Sequence, residues 1–171
     1  MKTMQEEKDS FIKGYNQWSD DLLRYALFKV SNRELALDIV QDTFTKTWEY
    51  IYDGKKIDNL RAFLYKTLKN LIIDSYRKKT SESLDNLLEE GFDYGYDERE
   101  KIESNLSGQE LWEHVDNLDV KYQEVIVLRY MNDLSIAEIS EISGETENNI
   151  SVRIHRGLEK LKQISKLEEQ K

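Results

Sequence analysis

Cysteine and proline are absent from this chain of 171 residues, and histidine occurs only twice. Without cysteine there is no disulfide framework, no thiolate metal ligand and no thiol nucleophile, which fits a reducing, intracellular setting. Two imidazoles cannot supply the three that a zinc enzyme would typically recruit, so neither a metal nor another cofactor is expected. Long apolar runs are missing as well. No stretch of about 18 apolar residues occurs and Met1 to Asp9 is mostly polar, so neither a membrane-spanning helix nor a signal peptide is expected. These absences point to a cytoplasmic protein without direct membrane insertion.

Positive charge is in short supply overall, with 25 Lys and Arg against 34 Asp and Glu and a net charge of -9. Such a total ordinarily argues against nucleic acid, whose phosphates need cationic surface. The distribution argues differently. Residues 54–80 carry eight cations, among them Lys55, Lys56, Lys66, Lys69 and Arg77, against Asp58 and Asp74 alone, a net of +6. Residues 81–120 carry thirteen carboxylates against Arg99 and Lys101, a net of −11. That acidic stretch also holds Gly91, Gly95 and Gly108 and has poor apolar periodicity from Thr80 to about Asn105, so it reads as a solvated tether between two domains.

With no proline, little β-branched alternation and recurring Ser-x-x-Glu pairs at Ser31/Glu34, Ser107/Glu110 and Ser135/Glu138, the chain is expected to be all-α. Helices are predicted near Ser19–Lys29, with another before it from about Gln5, and then at Arg33–Tyr52 and Leu60–Lys79. Beyond the tether they are predicted near Gly108–Leu118, Lys121–Asn132, Ile136–Ser143 and Glu147–Lys166. Within residues 33–52, Leu37, Val40, Phe44, Trp48 and Ile51 form a predicted core stripe. A quarter turn away, Glu34, Asp38, Gln41, Asp42, Thr45 and Glu49 line up, either as a solvated face or as a docking surface for a basic partner.

In the helix over 60–79, Leu60, Phe63, Leu64, Leu68 and Leu71 form the predicted buried side. Lys66, Lys69, Asn70, Ile73 and Arg77 share the opposite arc at about 100° per residue, flanked by Tyr65 and Tyr76. Aromatics beside cations suit single-stranded nucleic acid, because bases stack on rings while phosphates are neutralised; the two tyrosines serve equally well as closures of the core edge.

The most specific local pattern spans Leu134 to Ile150. A short capped helix, a turn at Gly144 and a second helix opening at the N-cap Thr146 read as a helix-turn-helix. Ala137 is expected where the two helices approach. The apolar positions Ile136, Ile139, Ile142, Ile150, Ile154, Leu158 and Leu161 supply a core. The outward arc of the second helix holds Asn148, Asn149, Val152, His155 and Arg156, edged by Ser151 and Arg153, a set suited to base edges and phosphates in a major groove. His155 lacks a second metal-ligating neighbour, and His114 belongs to no Glu-x-x-His pair, which counts against a carboxylate metal site.

The order of acidic helix, basic helix, acidic tether and helix-turn-helix resembles the bacterial RNA polymerase sigma factors of the sigma-70 family, in particular the extracytoplasmic-function group. Three segments carry the resemblance: Asp38-Ile39-Val40-Gln41-Asp42-Thr43-Phe44-Thr45-Lys46-Thr47-Trp48; Asn59 to Tyr65 continuing through Asn70, Asp74 and Arg77; and the helix-turn-helix. It extends from about Ser19 to Lys162. The resemblance implies a region 2-like domain over 1–80, an acidic linker over 81–106 and a region 4-like helix-turn-helix domain over 107–171. It implies core RNA polymerase, through its β′ clamp helices, as the partner of Asp38, Gln41, Asp42 and Phe44. It further implies that Lys66, Lys69, Asn70, Ile73 and Arg77 hold the melted −10 promoter element, and that Asn148, Asn149, Ser151, Val152, Arg153, His155 and Arg156 read the −35 element. The linker would lie in a basic channel of the polymerase, and an anti-sigma factor is a further partner that the family raises.

The sequence departs from the family pattern at Phe63, where Trp is usual, at Asn148-Asn149-Ile150 in place of Gly-Thr-Val, at Gly157 in place of Ala, and at Asp119 in place of Pro. The second departure changes base-facing chemistry, so target promoters do not carry over from relatives. Gly157 costs about 1 kcal/mol of helix propensity relative to alanine, which signals a close contact or a weak helix end. No residues are arranged as a catalytic site. A free-standing helix-turn-helix regulator with a dimerising or sensing N-terminal half is the second reading, and a helical adaptor or carboxylate enzyme the third.

Overall fold

A computed structural model describes residues 4–30, 32–86 and 114–168, with side chains for 4–30, 32–79 and 114–165. The chain divides into two compact units, Met1–Glu100 and Lys101–Lys171. Among the described residues every regular element is helical.

The first unit is built from α1 (Met4–Val30), α2 (Arg33–Tyr52) and α3 (Leu60–Asn86), each packed on the other two. α1 is one helix, where sequence suggested a break before Ser19. Its buried positions Gly14, Leu22, Tyr25, Ala26 and Val30 keep a single face inward, and nothing between them forbids helical backbone. α2 has the predicted bounds, but its N-cap is Asn32, whose Oδ1 accepts from the Leu35 N–H at 2.8 Å, rather than the expected Ser31. Asn59 does the same for α3, accepting from the Ala62 N–H at 3.0 Å. α3 then continues past Lys79 to Asn86, so it occupies the first residues assigned to the linker; the rest of that linker, and the Ser107/Glu110 pair, lie outside the described residues.

The core stripe of α2 is rotated from its expected position. Ala36, Ile39, Val40, Thr43, Phe44, Thr47 and Ile51 are buried, while Leu37 is 44% exposed and Trp48 is half-buried against Phe11 at 5.2 Å. The cause is the pair Thr43 and Thr47. Their hydroxyls donate to the carbonyls of Ile39 and Thr43 at 2.8 and 2.7 Å, so two residues that look polar in sequence are satisfied inside the core. On α3, Ala62, Leu64, Tyr65, Leu68 and Ile72 are buried, whereas Leu60, Phe63 and Leu71 are half-buried.

The second unit contains α4 (Val120–Ile126), a π-helical turn (Val127–Met131), α5 (Ile136–Ser143) and α6 (Glu147–Glu168). The π turn was not expected. The Asn132 N–H reaches back to the Val127 carbonyl at 3.1 Å, and the Arg129 guanidinium donates to the Leu134 carbonyl at 2.8 Å, closing the segment that leads to α5. α5 starts with the predicted capping box: the Glu138 N–H donates to Ser135 Oγ at 3.1 Å, and the Ser135 N–H donates to Glu138 Oε2 at 2.9 Å. It ends at Gly144, whose φ of 74° is the left-handed conformation that turns the chain into α6. Ala137 is exposed and does not mediate the helix contact. The close approach is instead at Gly157. A Cβ there would stand 3.1 Å from Ile126 Cγ1, so the missing side chain lets α6 lie against α4. Val115, Tyr122, Val125, Leu128, Leu134, Ile139, Ile142, Ile150, Ile154 and Leu161 complete this core.

Candidate nucleic-acid interface

On α2, Asp38, Gln41 and Asp42 are exposed with Glu34, Thr45 and Glu49, so the helix offers a continuous carboxylate and amide face. Phe44 does not belong to that face. It is 5% exposed, and its ring packs on Tyr15 at 4.7 Å and Phe11 at 6.0 Å, so it anchors α2 to α1 and offers no surface to a partner.

On α3, Lys66, Asn70, Ile73 and Arg77 are exposed together, and Lys69 is half-buried at the edge. Arg77 lies 3.9 Å from Asp74, with both side chains mostly in water, a pair too weak to withhold the guanidinium from a phosphate. The two expected flanking aromatics separate. Tyr65 is 1% exposed and its ring meets Tyr25 edge-on at 5.8 Å, so it is core and cannot stack on a base. Tyr76 is 46% exposed, and its hydroxyl donates to the Lys29 carbonyl, which ties α3 to the end of α1.

On α6, Asn148, Asn149, Ser151, Val152, His155 and Arg156 are all exposed on one arc. The Asn149 N–H donates to Thr146 Oγ1 at 3.2 Å, the N-cap expected at that position. His155 Nε2 is 3.2 Å from Glu159 Oε1, one turn further on. Arg153 departs from its expected role. Its guanidinium is half-buried and ion-paired to Glu145 in the turn, and the Ser140 hydroxyl and Ser143 Oγ hold the Glu145 backbone from the other side. Glu145 was not among the expected residues; a carboxylate eight positions before an arginine, across a turn, gives no periodic signal. Among the described residues no cluster of three metal-ligating side chains occurs, and no helix is long and apolar enough to cross a membrane.

Residues 15–82 match the family model for Sigma-70 region 2, and residues 108–161 match that for Sigma-70, region 4. The chain is 30% identical over 159 residues to the RNA polymerase sigma factor SigV of Bacillus subtilis, covering 92% of each. It is 28% identical over 165 residues to the ECF RNA polymerase sigma factor BldN of Streptomyces coelicolor, covering 92% of this chain and 61% of that one. Its fold is similar to that of the sigma factor RpoE of Bartonella quintana, solved in complex with the anti-sigma factor NepR, with a TM-score of 0.68, 23% identity, and coverage of 92% and 97% of the two chains. Both units thus fall in one class of DNA-binding transcription initiation factor. The chain belongs to the sigma-70 family of RNA polymerase sigma factors, to its extracytoplasmic-function group.

Proposed function

We propose that the two units divide the work of promoter use by chemistry. The observation that supports this most is that α2 exposes Asp38, Gln41 and Asp42 while α3 exposes Lys66, Asn70, Ile73 and Arg77. Acidic and amide groups suit the arginine-rich β′ clamp helices of core RNA polymerase. Cations beside an amide suit the melted −10 strand, with Lys69 supporting from the edge and Asn70 in contact with a base. Opening a base costs a few kcal/mol of stacking, which phosphate and stacking contacts must offset.

The second unit then reads the −35 element as duplex. Asn148, Asn149, Ser151, Val152, His155 and Arg156 face the groove, and Arg153 holds the turn. Residues 1–80, 81–106 and 107–171 serve as docking and melting domain, acidic tether and −35 reader. The protein works in the cytoplasm as a dissociable subunit that makes and breaks no covalent bonds itself, and a protein inhibitor of the anti-sigma kind that covers its polymerase-binding or DNA-binding faces fits this scheme.

Run-off transcription with the purified chain and core polymerase tests the proposal. Promoter-specific transcripts that require the chain are expected. Tight binding to a palindromic duplex without polymerase, and no transcript, would instead identify a free-standing regulator.

A further inference from the structure

The burial of Tyr65 removes one of two aromatics expected beside the cationic arc, and the Lys29 carbonyl holds the hydroxyl of the other, Tyr76. The structure presents a different ring. Tyr52, the last residue of α2, is 71% exposed, the most open of the large apolar and aromatic side chains described in the first unit.

Its backbone is fixed. The Asp53 N–H donates to the Glu49 carbonyl at 2.9 Å, the Gly54 N–H to the Ile51 carbonyl at 2.9 Å and the Lys55 N–H to the Tyr50 carbonyl at 3.3 Å. Gly54 sits at φ 75°, the left-handed value that this helix end requires. The neighbours before Tyr52 are anchored inward. Ile51 is 4% exposed, and the Tyr50 ring lies 4.8 Å from Phe63 of α3. Tyr52 is therefore an aromatic ring in water on a rigid stem, with little conformational freedom left to lose when it meets a flat partner.

Cations follow at once. Lys55 and Lys56 are exposed, and Lys55 lies 3.3 Å from Asp53, a solvated pair that a phosphate can replace at little cost. The loop that carries them is seated on the rest of the unit: Ile57 and Leu60 face a small cavity shared with Glu7, Ser10 and Ile51, and Leu60 closes against Gly14. A single exposed tyrosine means little. A tyrosine on a capped helix end, followed by two exposed lysines on a seated loop and leading into the arc of Lys66 and Asn70, has the parts of a stacking platform for single-stranded nucleic acid.

We propose that Tyr52 stacks on an unpaired nucleobase of the opened DNA strand while Lys55 and Lys56 hold the flanking phosphates. The inference rests on the strand-capture role proposed for α3 and adds a second contact point to it.

The test uses holoenzyme assembled from the full chain and core polymerase. The probe is a labelled single-stranded DNA carrying 5-iodouracil at its thymine positions, compared with the duplex of the same sequence. Tyr52→Ala and Tyr52→Leu are each expected to weaken single-strand binding about tenfold, the loss of one stacked base. Tyr52→Phe and Tyr52→Trp are expected to retain it. Polymerase affinity and duplex binding stay unchanged, and ultraviolet crosslinks map to the peptide containing Tyr52. Undiminished strand binding by Tyr52→Ala, full binding by Tyr52→Leu, or loss of polymerase affinity in Tyr52→Ala overturns the inference. Lys66→Ala and Asn70→Ala separate the two levels. If they weaken strand binding and Tyr52→Ala does not, only the Tyr52 contact is wrong; if none of the three has an effect, strand capture by this face is itself wrong.

Discussion

Arg153, on the recognition helix, is ion-paired to Glu145 in the turn that precedes that helix. Both side chains are roughly 30% exposed, so the pair is partly desolvated and joins the turn to the second turn of α6. A guanidinium committed in this way orients the helix, and the groove contacts are left to its neighbours.

A strut and a phosphate contact respond differently to salt. Arg153→Met together with Glu145→Met is expected to leave the salt dependence of −35 duplex binding by holoenzyme unchanged, whereas Arg156→Ala should reduce the slope by about one, as loss of a phosphate contact does. Binding titrations across a salt series measure this. A slope reduced by about one in the Met/Met pair would show that Arg153 touches phosphate after all.

The capping box at the start of α5 should be worth more than the side chain beside it. Ser135→Ala leaves the Glu138 N–H without its acceptor and is expected to destabilise the second unit by about 1 kcal/mol. Ala137→Lys, at an exposed position, should be within about 0.5 kcal/mol of neutral. Denaturant midpoints of the two variants decide between this and an Ala137-mediated helix contact, which would reverse the order.

Gly157 is a second place where size decides. A Cβ at that position comes within 3.1 to 3.2 Å of the Ile126 side chain. Gly157→Leu should therefore destabilise by about 1–3 kcal/mol through overpacking, although leucine is the better helix former. A thermal midpoint at or above that of the parent would mean that the glycine marks only a weak helix end.

In the first unit, Tyr65→Ala should cost roughly 3–5 kcal/mol, as a large core truncation does, because that ring is enclosed against Tyr25. Lys66→Ala, one residue on and exposed, should leave the denaturant midpoint close to that of the parent while weakening strand binding. Equal midpoints for the two variants would place Tyr65 at the surface.

Much of this was legible because helix ends are chemically marked. Ser135/Glu138, Gly144 and Thr146 are local signals, and the backbone follows each of them. The exposed sets on α2, α3 and α6 were also readable, since charged and amide side chains at helical spacing rarely share a buried face. What failed depended on partners distant in sequence. Thr43 and Thr47 are buried because their hydroxyls return to α2's own carbonyls, which let a polar-looking stripe turn inward and pushed Leu37 out. Tyr65 and Phe44 carry the composition of a binding surface but meet α1, and Arg153 reads as a DNA contact until Glu145 is seen beside it. The π turn at Val127–Met131 is a change of hydrogen-bond register, which apolar spacing does not encode.

Separating polymerase docking from strand capture is the most direct measurement. Asp38→Arg and Asn70→Ala are compared in two assays, capture of core polymerase by the purified chain and open-complex formation on a promoter that the wild-type holoenzyme uses. Asp38→Arg should lose polymerase capture by at least about tenfold, as a like charge facing a basic helix does, yet open DNA normally once enough polymerase is bound. Asn70→Ala should capture polymerase normally and open the promoter poorly. Both variants losing both steps to the same degree would contradict a division of labour between α2 and α3.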